Sequence, residues 1–408
     1  MPGAGRPARL RRTPILWSRR AAMAGMAASV AGCSTSFNTD LFSGGASPPA
    51  KPDPAPTSGI GANIGAGSIK AGLILPLSAN GNAGAAGQAM RNAAEMALAE
   101  FNGANIQLVV KDDSGSAPGA RLAAQQALDE GAEILLGPLF ANAVPGAKQA
   151  VRGRGVPIIA FSTDTNVASP GVYLLSFLPE ADINRIVSFA ASQGKRSFIA
   201  LMPSNAYGTV VEGEFKQALA NHNARVVALE RYAEDKSRIG DMVRRIAPAA
   251  KGADALFIAD GGDGVVDVIA ALAAGGINVR QFARYGTQLW EDPKVFSDAL
   301  LEGGLYPGPD PGGFRAFSER YRARYRLDPP RPAALAYDAV ALVAALGKTS
   351  GSPRFSSGDL TNPSGFAGID GVFRFRPDGT NQRGLAVLRV TSGGGQIVAP
   401  ASRSFEAG

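Results

Sequence analysis

From about residue 68 the chain alternates short apolar bursts with longer stretches of helical spacing. The bursts are GLILPL (72–77), IQLVV (106–110), EILLG (133–137), VPIIAF (156–161), FIALM (198–202), RVVALE (225–230) and ALFIA (255–259). Between them lie stretches such as AGQAMRNAAEMALAEFN (86–102) and GARLAAQQALDEG (119–131), with small or charged faces. A strand that is apolar at successive positions is covered on both faces, so the alternation predicts parallel strands sandwiched between helices. The bursts are short, rich in β-branched residues and bounded by turn residues, which favours strands over buried helices. The alternation runs to about residue 290. Two long helical stretches follow, GGFRAFSERYRARYR (312–326) and PAALAYDAVALVAALG (332–347). The segment GIDGVFRFRPDGTNQRGLAVLRVTSGG (368–394) then alternates like antiparallel strands around a turn at Asp378-Gly379.

A chain of 408 residues exceeds what one ordinary hydrophobic core organises, and two lobes of roughly 120–180 residues are expected. The net charge of +7 invites a nucleic-acid reading, but its source is local. Residues 1–33 hold Arg6, Arg9, Arg11, Arg12, Arg19 and Arg20 and no acid, and without these six the balance is 35 basic against 34 acidic residues. A near-neutral body offers no electrostatic footprint for a phosphate backbone, so no nucleic-acid partner is expected. After the basic start comes AAMAGMAASVAG (21–32), too short to span about 30 Å of hydrocarbon at about 1.5 Å per residue. The arrangement is that of an export signal. It ends in Val30-Ala31-Gly32-Cys33, and Cys33 is the sole cysteine. This end resembles the bacterial lipobox, which implies a lipidated Cys33; the plainer alternative is a signal peptide with an incidental cysteine. Ser34 follows it, which by analogy with lipoprotein sorting favours the outer membrane of a periplasmic location. SRRAAM (18–23) also resembles a twin-arginine signal, and the export route stays open. Residues 34–67 are rich in Gly, Pro, Ser and Ala and read as a disordered tether. With one cysteine no intramolecular disulfide is possible, so stability rests on the cores.

The loop after the first strand, Gly81 to Gly87, reads G-N-A-G-A-A-G. Strand, glycine loop and helix is the layout of a phosphate-binding turn. The dinucleotide fingerprint needs glycine where Ala83 stands, and Asp112 lies too far along to be its ribose partner. No G-x-x-x-x-G-K-[ST] occurs. No nucleotide or other cofactor is expected. What remains is a tight loop at the carboxyl end of a strand, where open α/β sheets bind ligands.

Seven segments in order resemble one family: GLILPLS, LVVKDDSGSAPGARLAAQQAL, ILLGPLFANAV, GVPIIAFSTDT, NAYGTVVEGEFKQAL, ALAYDAVALVAAL and GIDGVFRFRPDG. Over residues 68 to about 400 the chain resembles the type I periplasmic binding proteins of the Leu/Ile/Val-binding group. The resemblance implies an α/β fold of two doubly wound parallel-sheet lobes joined by a three-crossing hinge, with a small-molecule ligand in the cleft. Crossings are expected near Pro179, Pro307 and Gly368. Lobe 1 would comprise 68–179 and 308–368, and lobe 2 would comprise 180–307 and 369–405. The function implied is non-enzymatic: a solute-binding lipoprotein serving the permease of an ABC importer for amino acids or related molecules. A second branch of the superfamily, lipoproteins that activate penicillin-binding proteins, is also similar and implies a peptidoglycan synthase as partner.

The resemblance places a ligand site at Ser78, Ala141, Ser162, Thr163, Asp164, Tyr207, Asp260 and Gln288. Ala141 stands where the family offers a serine, Asp164 where it offers a threonine, and Gln288 where it offers an acid for the ligand's amino group, with Glu291 and Asp292 nearby. Ala83 replaces a common aromatic. Tyr207 matches a ligand-packing tyrosine. Each missing hydrogen bond is worth roughly 0.5–3 kcal/mol, so free branched-chain amino acids are expected to bind poorly. Enzyme readings lack residues: His222 is the sole histidine, in a polar turn, and neither a His-based triad nor a His/Cys metal site can be built. Asp112 and Asp113 could hold a cation, but neighbours on a strand end point to opposite faces.

Overall fold

The computed structural model describes residues 61–349, 351 and 354–405. Cys33, the export signal and most of the expected tether lie outside the described residues.

The first half follows the expected alternation and adds one strand, Val172–Leu174, at its edge. It comprises β1 (Ile69–Leu75), α1 (Asn82–Glu100), β2 (Ile106–Asp112), α2 (Ala117–Asp129), β3 (Ile134–Leu136), α3 (Val144–Val151), β4 (Ile158–Ala160) and β5 (Val172–Leu174). These strands form one parallel sheet in the order β2-β1-β3-β4-β5. The apolar bursts are its interior: Leu73, Leu75, Ile134 and Leu136 face one layer, and Ile74, Val109, Leu135 and Ile158 the other. Helix α1 is alanine-rich because its buried face meets another helix closely, and alanine has the highest helix propensity. Helix α2 starts where the Ser116 hydroxyl accepts the Gly119 N–H at 3.1 Å.

The second half comprises α4 (Pro179–Ser192), β6 (Ser197–Pro203), α5 (Ala206–Asn221), β7 (Arg225–Tyr232), α6 (Ile239–Ile246), β8 (Ala255–Ile258), α7 (Gly262–Ala274), β9 (Ala283–Gly286), α8 (Pro293–Ser297) and β10 (Leu305–Gly308). The chain then returns to lobe 1 through α9 (Pro311–Tyr325), α10 (Pro332–Thr349), α11 (Ser357–Leu360) and a small antiparallel sheet of β11 (Phe366–Gly368), β12 (Gly371–Phe375) and β13 (Asn381–Arg383). It ends in lobe 2 with β14 (Ala386–Thr391) and β15 (Gly394–Ala399). The second sheet runs β15-β14-β10-β9-β8-β6-β7, with β14 antiparallel to both of its neighbours, β10 and β15.

Two expected boundaries are corrected. The tether was expected to stay unstructured to residue 67. Ile64 instead bridges Leu108 on the open edge of β2, with N–H···O distances of 3.0 and 2.8 Å. An edge strand presents unpaired backbone groups, and Ile64 packs on the core beneath. The third crossing was expected near Gly368, which lies in β11. Phe373 and Phe375 of β12 are buried in the lobe 1 core, with Phe375 5.4 Å from the Tyr173 ring, so the chain leaves lobe 1 only after Arg383. Burying each such ring is worth about 1.5–3 kcal/mol, and alternation alone does not say which core receives it.

The crossings thus run from Ser176 to Pro179, from Gly308 to Pro311 and from Arg383 to Ala386. Helix α4 returns to the start of β6, so its first turn lies at the carboxyl edge of the second sheet. Strand β10 ends at Gly308 beside β9, and β14 begins opposite it at Ala386. All three crossings therefore join the carboxyl edges of the two sheets.

Candidate functional site

The glycine loop serves packing. Gly81 takes a positive φ of 62°, and a Cβ at Gly84 would stand 2.0 Å from the Ala79 carbonyl oxygen. Glycine here lets α1 press onto the loop that follows β1. The same device recurs where α5 meets the end of β6: a Cβ at Gly208 would stand 2.0 Å from the Pro203 oxygen.

On lobe 1 the strand-end loops are tied together by acids. Asp112 accepts the N–H groups of Ser78 at 3.2 Å and Ser114 at 2.9 Å, and the two serine hydroxyls bond each other at 2.8 Å. Burial pushes the Asp112 carboxyl up, but these hydrogen bonds outweigh it and hold it below the usual range. Asp113 is fully buried and accepts the Gly115 N–H at 2.8 Å. Burial, with the charge of Asp112 adding, pushes its carboxyl up to about 6. After β4, the buried Ser162 hydroxyl accepts the Asp164 N–H at 3.0 Å, and Asp164 in turn accepts the Asn166 backbone at 2.9 Å and its amide at 2.8 Å. Thr163 and Asp164 are exposed, and Ala141 is half-buried beside Asn142, whose amide donates to the Gly115 carbonyl.

On lobe 2 the network is deeper. The Tyr207 hydroxyl donates to Thr287 Oγ1 at 2.9 Å, and the Tyr232 hydroxyl to Asp260 Oδ2 at 2.8 Å. Asp260 also accepts the Gly261 N–H at 2.9 Å. The Gln288 N–H donates to Asp182 Oδ2 at 3.1 Å. Asp182 is buried, and burial pushes its carboxyl up to about 7. Burial, with Asp182 and Asp260 nearby, also raises the Tyr207 hydroxyl. Asp182 Oδ1 and Gln288 Oε1 are both buried without a hydrogen-bond partner.

The structure therefore brings Tyr207, Asp260 and Gln288 to one sheet edge and Ser78, Ala141, Ser162, Thr163 and Asp164 to the other. Sequence reasoning missed Asp182, Thr287 and Tyr232. Asp182 follows Pro179 in a first helical turn, where an acid reads as a response to the helix dipole; only the packing of α4 against the loop after β9 shows it buried. A separate groove of about 760 Å³ lies between α3, the start of β5 and Arg354–Ser357. It opens at the amino ends of the lobe 1 strands, away from the polar network. Among the described residues no helix is long and apolar enough to cross a membrane.

Comparison with known proteins follows the same lines. The model of the family described as "Periplasmic binding protein" matches residues 68–395. A candidate branched-chain amino acid ABC transporter from Rhodospirillum rubrum superposes with a TM-score of 0.72 at 21% identity, covering 81% of this chain and 99% of that one. An ABC transporter substrate-binding protein from Desulfitobacterium hafniense, solved in complex with Leu, gives 0.61 at 19% identity, covering 81% and 99%. A solute-binding protein of an ABC transporter from R. palustris, solved with benzoate, gives 0.57 at 18% identity, covering 84% and 98%. An uncharacterised Rickettsia prowazekii protein is 24% identical over 115 residues, which span 28% of this chain and only 31% of that protein. With a family match over most of its length and the two-lobe α/β architecture to go with it, the chain belongs to the periplasmic binding protein family.

Proposed function

We propose that the protein is the solute-binding component of an ABC importer, taking a small polar solute of amino-acid size between its lobes. The observation that carries this reading is topological: all three crossings join the carboxyl edges of the two sheets, so the polar loops of both lobes converge on one cleft. Ligands bind at such edges in open α/β sheets. Closure about the crossings would be a population shift, favoured by contacts that only the closed state makes. The solved relatives with Leu and with benzoate support a solute-binding role for the fold. No step of chemistry is asked of any residue, and we read the protein as non-enzymatic.

The basic amino terminus, its short apolar run and the lone Cys33 after Val-Ala-Gly support export and lipid anchoring in the periplasm, with Ser34 favouring the outer membrane. Cys33→Ser should abolish labelling by radioactive palmitate; equal labelling of both forms would remove the anchor from this reading. The solute-binding role is tested by a thermal-shift screen of the protein against amino acids, amines, aromatic acids and short peptides. A ligand at about 100 times its Kd stabilises by about 2.7 kcal/mol. A panel with no hit would count against solute binding.

A further inference from the structure

We infer, on the reading that the strand-end loops form a solute site, that the ligand is an organic cation without a free carboxylate: an amine or guanidine held by Asp182 and Gln288. The first ground is charge. Asp112 and Asp164 on lobe 1 and Asp182 and Asp260 on lobe 2 all stand at strand-end loops or the crossing. None of the four has an ion-pair partner among the described residues, whereas four cations near the same edges do, and Arg383 at the third crossing is held by the Ser176 carbonyl with Asp338 and Asp370 nearby. Lys236 pairs with Asp267 at 3.6 Å, Lys294 with Asp263 at 2.6 Å, Arg376 with Glu180 at 2.6 Å and Arg331 with Asp370 at 3.2 Å. Arg185, on the second turn of α4, is occupied by the carbonyls of Leu385 at 2.7 Å and Pro400 at 3.2 Å.

The second ground is independent of charge. Asp182 is 7% exposed, it reaches the loop after β9, and its Oδ1 has no donor. Gln288, whose own N–H holds the other oxygen of Asp182, carries a buried Oε1 that also has no donor. Buried acceptors without donors are rare because they lose their water without replacement. Two of them on neighbouring side chains call for a ligand group rich in N–H.

The third ground weighs against a carboxylate. Four backbone N–H groups at these loops already bind the protein's own acids: Ser78 binds Asp112, Asn166 binds Asp164, Gly261 binds Asp260 and Gln288 binds Asp182. The serine hydroxyls of 78 and 114 are bonded to each other. An incoming carboxylate would find these donors occupied and like charges beside them. A metal ion does not replace the amine, because among the described residues no group of three or more His, Cys, Asp or Glu could hold one.

The test is titration calorimetry of the protein at pH 8 with leucine, 3-methylbutylamine, 4-methylpentanoate and agmatine. The second and third probes are leucine without its carboxylate and without its amine. At least one of the two amines should bind at least tenfold tighter than leucine, with no heat from 4-methylpentanoate. Asp182→Asn should weaken the amine at least tenfold, and Gln288→Glu should strengthen it. Leucine or 4-methylpentanoate binding as tightly as the amines would overturn the inference and leave solute binding intact. No binding of either amine also overturns it, and the broader thermal-shift panel then decides whether solute binding itself survives. An unchanged amine affinity in both variants would remove Asp182 and Gln288 as the anchor.

Discussion

At the scale of the residue, Asp182 couples the site to pH. Its carboxyl is pushed up from an ordinary 3.8 to about 7 by burial, and the Gln288 N–H offsets only part of this. Asp182 and Asp260 both act on Tyr207. The folded protein therefore holds a proton that the unfolded chain releases between about pH 4 and pH 7. Stability from this group is complete below the unfolded value and is lost as pH rises through the folded one. Asp182→Asn should match the wild type near pH 4 and exceed it at pH 8, by on the order of 3 kcal/mol. Melting curves across that range check it, and parallel profiles for the two proteins would contradict the burial seen here. Tyr207→Phe is a milder change. It removes one hydrogen bond to Thr287, and a loss of about 0.5–1.5 kcal/mol is expected by denaturant titration.

At the scale of the element, the loop between β1 and α1 and the sheet of β11–β13 show two ways of holding an edge in place. In the first turn of α1 the constraint is steric. Gly84→Ala puts a methyl 2.0 Å from the Ala79 oxygen and should cost about 1–3 kcal/mol through the forced shift of α1. Gly81→Ala meets no atom within 4 Å, so its penalty is the backbone at φ 62° and ψ −138° alone, about 1–3 kcal/mol. The ratio of the two is measurable by urea melts. In the small sheet the constraint is electrostatic. Arg383 is buried, donates Nε–H to the Ser176 carbonyl at 2.9 Å and lies over the rings of Phe177 at 4.5 Å and Phe373 at 5.5 Å. Asp338 and Asp370 share its surroundings, and burial raises both carboxyls, Asp338 to about 7. Arg383→Ala would leave Asp338 without the cation beside it, while Asp370 keeps Arg331, and should cost about 3–5 kcal/mol. A thermal melt that barely moves would show that the cluster is neutral in the folded state.

At the scale of the molecule, three short crossings at one edge leave the lobes free to rotate about them. The ion pair from Arg376 in lobe 1 to Glu180 in lobe 2 is partly exposed on both sides, and pairs of that kind are worth about 0–1 kcal/mol. It is too weak to lock the lobes. Small-angle scattering should therefore show a smaller radius of gyration with saturating ligand than without. An unchanged value at saturation would mean that binding occurs without closure.

The alternation of apolar bursts and helices determined the α/β class, the two-lobe plan and most strand positions, because a strand covered on both faces must be apolar throughout, wherever it sits in space. Strand β5, at the sheet's edge, was missed. The family resemblance placed Ser78, Asp164, Tyr207, Asp260 and Gln288 on strand-end loops, and chain order alone put them at the edges seen here. Only the tertiary structure decided which core receives Phe373 and Phe375, since either lobe offers apolar surface to an alternating segment. Only it showed that Asp112 binds N–H groups of its own loop and of the loop after β1, that Asp164 binds those of its own, and that Asp182, a surface acid to any reader of the sequence, is buried with one oxygen unpaired. Hydrogen-bond partners far apart in sequence, 106 residues for Asp182 and Gln288, are set by how helices settle on sheets. A local pattern carries no record of that contact.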